Sequence, residues 1–471
     1  MTEPDRKPRT FDRSIVEGPI PRAVWRLAWP TMLQNILGGL QGIVDHVMVG
    51  HYVGYQGNAA IGVAWQIFLV VILFVNSLFV GMAVLVARFA GANEPDKVNR
   101  TVYQAFLTTT VMALFLLAPL GYFLSPALLD LVNASPEVQA EALPYLRIMF
   151  VFMIGLLLFY MLGGALRAAG DAKTPLKYGI ALTILNVVLN VVFIRGLGPI
   201  PGLGTKGAAI GTVIAGGILG IVAMQRLFFS KRWVVHFARG MSLRPDWSII
   251  RSLFRFGIPA GIQGVAMNVG GVIMLAFVGS LAQSAQAQAA YAVGYGQLFS
   301  LITWTSAGMM AATAVVAGQN LGAGHPDRSV HGVHVASLIG LGAAAILGAA
   351  FLLIPAPLLG MFGMDDPAVV ALGTQLLTFL SVSGLFVTVA LAYTGGLQGT
   401  GDTKGPLYIS LISQVLVPIG ICTVVQYAWG LEAWHIWSAI LVGHMTRSAL
   451  SVIRFRQGAW RNIEVEIETA T

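Results

Sequence analysis

Asp45 is the one carboxylate that falls inside an apolar stretch, PTMLQNILGGLQGIVDHVMVG from Pro30 to Gly50. In helical register Gln34, Gly38, Gln41 and Asp45 share one narrow face, and Leu33, Ile36, Leu37, Leu40, Ile43, Val44 and Val47 cover the rest. An ionisable group in hydrocarbon is costly and usually faces a bundle interior or a watery cavity. Low-dielectric surroundings disfavour the charged form of a carboxylate, which brings proton loading and release toward the working pH. Once ionised, such a group also attracts a cationic solute. The two uses exclude each other, and that exclusion is a means of exchanging protons for cargo. Pro30 removes a backbone donor below Asp45 and is a candidate hinge, with a fixed kink as the alternative.

A stripe of this kind needs helices around it. The chain has 471 residues, 56% hydrophobic and 10% charged, with 55 glycines and mean hydropathy +0.77. A soluble domain carries about 25% charged residues, so the composition is that of a polytopic membrane protein, whose small residues let helices approach closely. Apolar runs predict spans at 23–49, 59–87, 101–124, 145–166, 176–194 and 207–227. A second set follows at 254–279, 289–317, 331–354, 370–396, 406–428 and 434–453. The expected fold is all-α, with twelve transmembrane helices in two pseudo-symmetric six-helix lobes. The division between spans seven and eight rests on the polar run from Gln283 to Gln288.

The net charge of +8 is explained by its distribution, not by nucleic acid. With the N-terminus on the cytoplasmic side, all of the 28 Lys and Arg except Arg147, Arg195 and Lys206 fall on that side, so both termini are expected there. The sequence also repeats. Pro30 and Gln34 return as Pro259 and Gln263, GANEPDK (91–97) as GAGHPDR (322–328), and LRAAGDAKTP (166–175) as LQGTGDTKGP (397–406). Landmarks in one order at nearly one offset mean two halves of even span number, related by an axis along the membrane normal, with substrate held between them. The expected organisation is a tail (1–21), an N-lobe (22–228), a basic linker (229–250), a C-lobe (251–456) and a second tail (457–471) that ends in Glu464, Glu466 and Glu468.

The two G-D-x-K-x-P loops, the two GA-x-x-PD-[KR] loops and the VDHVMVG segment resemble the multidrug and toxic compound extrusion (MATE) family over nearly the whole chain, from about Arg22 to Arg456. The resemblance implies cation-coupled export of bulky, often cationic drugs or dyes by alternating access, in a bacterial inner membrane. Asp45 matches the first-span aspartate that the family uses for coupling. Thr183, Asn186 and Asn190 lie at i, i+3 and i+7 on span five; the family presents polar groups there near that acid, and NVVLNVVF fits at both asparagines. Some relatives carry an acid where Asn190 stands. Thr212, in GAAIGTV, resembles a further polar member.

In the second half, the positions that match Gln34, Gly38, Gln41 and Asp45 are Gln263, Met267, Gly270 and Met274, so the acid is lost. Sodium-type relatives carry acids in that half. H⁺ is therefore the expected coupling ion, nearer the DinF-like branch, with Na⁺ the alternative and no other cofactor. Gln263, Met267, Met274, Tyr291, Tyr295, Met309 and Phe386 are the candidate substrate cavity, since thioethers and aromatic faces suit varied hydrophobic cations. No G-x-x-x-x-GK[ST] loop or catalytic cluster is present, so neither an ATPase nor a membrane-embedded enzyme is expected. His46 and His51 follow Asp45 off its face, with no third metal ligand in view. A lipid or lipid-linked precursor flippase is a further alternative. Against it, no Lys or Arg is expected deep in a span to meet an anionic head group. The single Cys422 allows no internal disulfide, and the chain is expected to act as a monomer.

Overall fold

A computed structural model describes residues 11–132, 134–229, 235–237 and 244–465, apart from the side chains of residues 55, 69–74 and 229. Tail residues 1–10, half of the linker 229–250 (230–234 and 238–243) and Glu466 and Glu468 lie outside the described residues. Twelve long helices follow one another: α1 (Ile20–Tyr52), α2 (Tyr55–Gly91), α3 (Pro95–Leu131), α4 (Pro136–Phe152 and Ile154–Ala168), α5 (Lys173–Arg195) and α6 (Thr205–Phe228). Then come α7 (Trp247–Gly279), α8 (Ser284–Gly322), α9 (Pro326–Leu353), α10 (Pro367–Thr400), α11 (Lys404–Ala428) and α12 (Ala433–Arg456). Nine are long and apolar enough to cross a membrane on that ground alone among the described residues, and the two parts of α4, bent by 55°, form a tenth. With α1 and α2, of 33 and 37 residues, all twelve expected spans are helical. The polar run Gln283 to Gln288 does not lie between helices as expected. It forms the opening turns of α8 and the residue before them.

Backbone geometry carries the sequence repeat. Gly170 and Gly401 have φ of +100° and +101°, a left-handed conformation that glycine adopts without penalty. Each ends its helix in the same way. Asp171 N donates to Leu166 O and Asp402 N to Leu397 O, closing the last turn of α4 and of α10. The aspartate then accepts from the start of the next helix, Asp171 from Thr174 N and Asp402 from Gly405 N. The other paired loop behaves alike. Asn93 (φ 60°) and Gly324 (φ 79°) turn left-handed, while Glu94 N donates to Phe89 O and His325 N to Asn320 O.

Contact clustering gives two compact units. One is built on Leu37–Ile258, and the other on Pro259–Val465 with Ser14–Ile36. The division runs through α1 and through α7, so the lower part of α1 belongs with the second unit. In the first unit α4 packs against α2 and α6, and Phe68 meets Phe150 edge to face at 5.4 Å within a core that includes Leu146 and Met149. At its basic end Arg100 Nη2 is 2.7 Å from Asp246 Oδ2, and Gln104 Nε2 donates to Arg244 O at 2.8 Å. In the second unit α10 is central, packed by α8, α9 and α12 around Leu376, Leu377, Leu380 and Trp437. At its basic end Arg454 Nε lies 2.8 Å from Asp402 Oδ2.

Among the described residues, wide π turns interrupt three helices, at Ala113–Leu117, Ala292–Leu298 and Leu411–Leu416, and end a fourth, at Val191–Arg195. Such turns re-aim neighbouring side chains and recur at functional sites. Here one follows Asn190 directly, and two others carry Tyr295 and Gln414.

Candidate coupling site in the first unit

Four polar side chains from three helices join into one chain. Asn190 Nδ2 on α5 donates to Asp45 Oδ1 on α1 at 2.7 Å, and also to Asn186 Oδ1 at 3.2 Å. Asn186 Nδ2 donates to Thr212 Oγ1 on α6 at 3.1 Å, and Thr212 Oγ1 donates to Ala208 O at 2.9 Å. One turn from Asp45, Thr183 Oγ1 donates to Gln41 Oε1 at 3.2 Å. Both asparagines are fully buried, whereas Asp45 and Thr212 are half-buried. The carboxylate therefore meets a fully buried amide while itself remaining partly exposed.

Close backbone approach makes the arrangement possible. A side-chain carbon added at Gly211 on α6 would fall on Asn190 Oδ1 and sit 3.3 Å from Asn190 N. The missing side chain leaves room for the Asn190 amide, whose Oδ1 has no hydrogen-bond partner. Small residues serve this purpose in membrane helices generally.

Of the coupling candidates, Asp45, Asn190, Asn186 and Thr212 meet in one network, and Gln41 with Thr183 forms an adjoining pair. Gln34 does not reach them: eleven residues down α1 it lies roughly 16 Å away along the axis. Pro30 is buried inside a continuous α1, where Thr31 Oγ1 donates to Leu27 O at 2.7 Å. His46 is hydrogen-bonded through Nδ1 to Asn58 Oδ1 of α2, a packing role off the Asp45 face. No group of three or more His, Cys, Asp or Glu is placed to hold a metal ion among the described residues. Tyr145 and Tyr160 on α4 lie within electrostatic range of Asp45, and sequence reasoning missed both. The only signal for them was a pair of tyrosines in span four. Gly211, also missed, was legible only as one of 55 glycines.

The second-half candidates divide. Met267, Met274, Tyr291 and Tyr295 line a cavity of about 60 Å³ together with Gln414 and Ile440. Gln263 is instead held between two neighbours: its Nε2 donates to Ser410 Oγ at 2.7 Å and its Oε1 accepts from Gln398 Nε2 at 3.3 Å. Met309 is fully buried in packing, and Phe386 is half-buried on α10 away from the cavity lining. The expectation that no Lys or Arg lies deep in a span fails. Arg447 is only 3% exposed, well inside α12, although its position near the last basic residues assigned it to the membrane surface. A larger recess of about 550 Å³ in the first unit, between the second part of α4 and α6, contains none of the candidate polar groups.

Long apolar helices in two repeated halves, with a carboxylate hydrogen-bonded inside the first, are the architecture of a multi-pass membrane protein, and the family to which the chain belongs consists of transporters and not enzymes. The chain belongs to the MatE family, whose model matches residues 30–192 and 259–424, one stretch in each half. It is 26% identical over 445 residues to "Probable multidrug resistance protein NorM" of Thermotoga maritima, covering 92% of each chain. It is 25% identical to "Multidrug resistance protein PmpM" of Pseudomonas aeruginosa, covering 93% of this chain and 91% of that one. Among solved structures, the outward-facing conformation of a multidrug resistance MATE family transporter matches with a TM-score of 0.88 at 19% identity, over 97% of this chain and 100% of that one. A MOP superfamily transporter from Pyrococcus furiosus matches with a TM-score of 0.86 at 20% identity, over the same shares. These likenesses carry the fold.

Proposed function

We propose that the protein exports hydrophobic or cationic drugs in exchange for protons by alternating access, as a monomer in the bacterial inner membrane with both termini cytoplasmic. The observation that carries this reading is the short chain Asp45, Asn190, Asn186, Thr212, which gives a half-buried carboxylate one donor held by a fully buried amide. Relatives named as multidrug resistance proteins support the export of drugs. In the ionised state Asp45 accepts from Asn190 and attracts a cation; in the protonated state it releases that cation. A proton needs only this carboxylate, which supports coupling of the DinF-like kind.

Na⁺ coupling is the second reading, and one observation favours it. Asn190 Oδ1 has no hydrogen-bond partner and lies on the same amide that touches Asp45, so it is a free oxygen ligand beside a carboxylate. A hard cation such as Na⁺ wants several such oxygens. Ethidium efflux from proteoliposomes separates the two. Efflux driven by a pH gradient in Na⁺-free buffer is the expected result. Efflux that ignores the pH gradient and follows a Na⁺ gradient transfers the role to the second reading.

A further inference from the structure

The recess of about 550 Å³ in the first unit takes no part in the Asp45 network. Helix packing explains its shape. α4 bends by 55° between Phe152 and Ile154, and just past the bend its backbone meets that of α6. A side-chain carbon built on Gly155 would fall 2.4 Å from Gly217 Cα, and one on Gly220 would fall 2.5 Å from Gly155 O. Small residues let the two backbones touch there, while the bend carries the first part of α4 off in another direction. An open channel is left beside the crossing. Gly217 lines it, and a side-chain carbon at that position would meet nothing within 4 Å. Glycine weakens a helix interior, and the packing does not require one at 217.

The channel is long and narrow. Its α6 wall runs from Val213 to Phe228, roughly 22 Å along the axis. Spread over that length, the volume leaves a mean cross-section of about 25 Å², room for one hydrocarbon chain and not for two side by side. The length spans the depth of one leaflet, since the whole hydrocarbon core is about 30 Å thick. Among the described residues Gln225 is the one lining group with a polar side chain, and it sits near one end. Arg226 beside it is exposed, so that end of α6 lies at the depth where polar surroundings begin. The other end, at Phe152 and Val213, is apolar. The rim is continuous with the lipid-facing surface: Phe152, Ile221 and Phe228 are 59%, 62% and 47% exposed on helices that cross the membrane. A polar ligand would find only Gln225 here, whereas bilayer chains lie against this wall at all times.

We propose that this recess binds one acyl chain of a phospholipid, with the chain laid along α6 toward Phe152 and Val213 and the head group outside at the Gln225 end. It shares no residue with the Asp45 network and stands whether the coupling ion is H⁺ or Na⁺. Native mass spectrometry of the purified full-length chain, stripped of lipid in detergent and titrated with dioleoyl phosphatidylglycerol, tests it. One lipid held at least tenfold more tightly than any later one is expected. Dihexanoyl phosphatidylglycerol has the same head group on short chains and should bind at least tenfold more weakly. Gly217→Phe fills the channel and should release the tight lipid, whereas Gly217→Ala should keep it. Ile221→Trp closes the channel from its rim, which keeps the proposal testable if Gly217→Phe does not fold. Ile218→Phe, exposed on α6 but outside the lining, should change nothing. Asp45→Asn should also leave the lipid in place, which separates failure here from failure of the coupling reading. Absence of a tightly held lipid, equal binding of the short-chain lipid, indifference to both Gly217→Phe and Ile221→Trp, or displacement of the lipid by ethidium would overturn the site.

Discussion

Gly211→Ala tests the geometry around Asp45 without touching the acid. In a helix interior this substitution ordinarily stabilises by about 1 kcal/mol, because glycine has the larger backbone entropy to lose. Here the new methyl falls on Asn190 Oδ1, and a fully buried Asn190 has little room to retreat. Displacing that amide breaks its bond to Asp45, worth roughly 1.5–3 kcal/mol if the acceptor is charged, and its bond to Asn186, worth about 1 kcal/mol. The net expectation is a loss of roughly 1.5–3 kcal/mol, opposite in sign to the helix propensity. Thermal unfolding of the purified chain reads the stability, and drug-driven proton uptake in inverted vesicles reads the coupling. A double-mutant cycle with Asn190→Ala adds specificity: the two changes should be strongly non-additive, because each removes the same contact. A more stable Gly211→Ala protein, or fully additive effects, would refute the reasoning.

The paired loops allow an internal comparison. Asp402→Ala and Asp171→Ala should each cost about 1–2 kcal/mol, because both cap the next helix and each aspartate has one further partner, Arg454 for Asp402 and the Thr174 hydroxyl for Asp171; parallel thermal melts compare them, and a negligible loss in either variant would remove that cap from the account. Asp246, outside the spans, supplies a pH signature. Desolvation alone would push its carboxyl up, but donors from the Ser248 hydroxyl, Ile249 N and Ser248 N, together with Arg100, outweigh burial and hold it below the usual carboxylate range. A carboxyl depressed in the folded state contributes stability above its unfolded value, near 3.9, and loses it as pH falls through the folded value. Asp246→Asn should therefore lower stability at neutral pH and flatten its decline in that acidic window; an unchanged acid profile would contradict the assignment.

Much of the architecture was legible because hydrocarbon imposes it. Twenty or so apolar residues between charges have few choices but a helix, and the halves announced themselves through loops such as GDAKTP and GDTKGP, where left-handed glycines and capping aspartates are needed in both copies. The Asp45 face was legible from spacing, and the asparagines of α5 from the resemblance. What escaped was set by tertiary approach. Gly211 matters because of where Asn190 sits, which no local pattern on α6 reveals. The π turn after Asn190 has no residue signature, and the turns that carry Tyr295 and Gln414 have none either. Arg447 was misplaced because counting charges by side says nothing of depth. Gln34, on the right face, fails through distance along the axis. The grouping of Ser14–Ile36 with the second unit likewise depends on packing that hydropathy cannot register.

Proton movement on addition of ethidium, measured in inverted vesicles that carry either the unaltered chain or Asp45→Asn, bears most directly on the central claim. The substitution keeps the size and one acceptor oxygen for Asn190 while removing the titrating group. The account predicts a variant that folds and reaches the membrane at normal levels but shows no drug-induced proton flux. Undiminished exchange in that variant would contradict it.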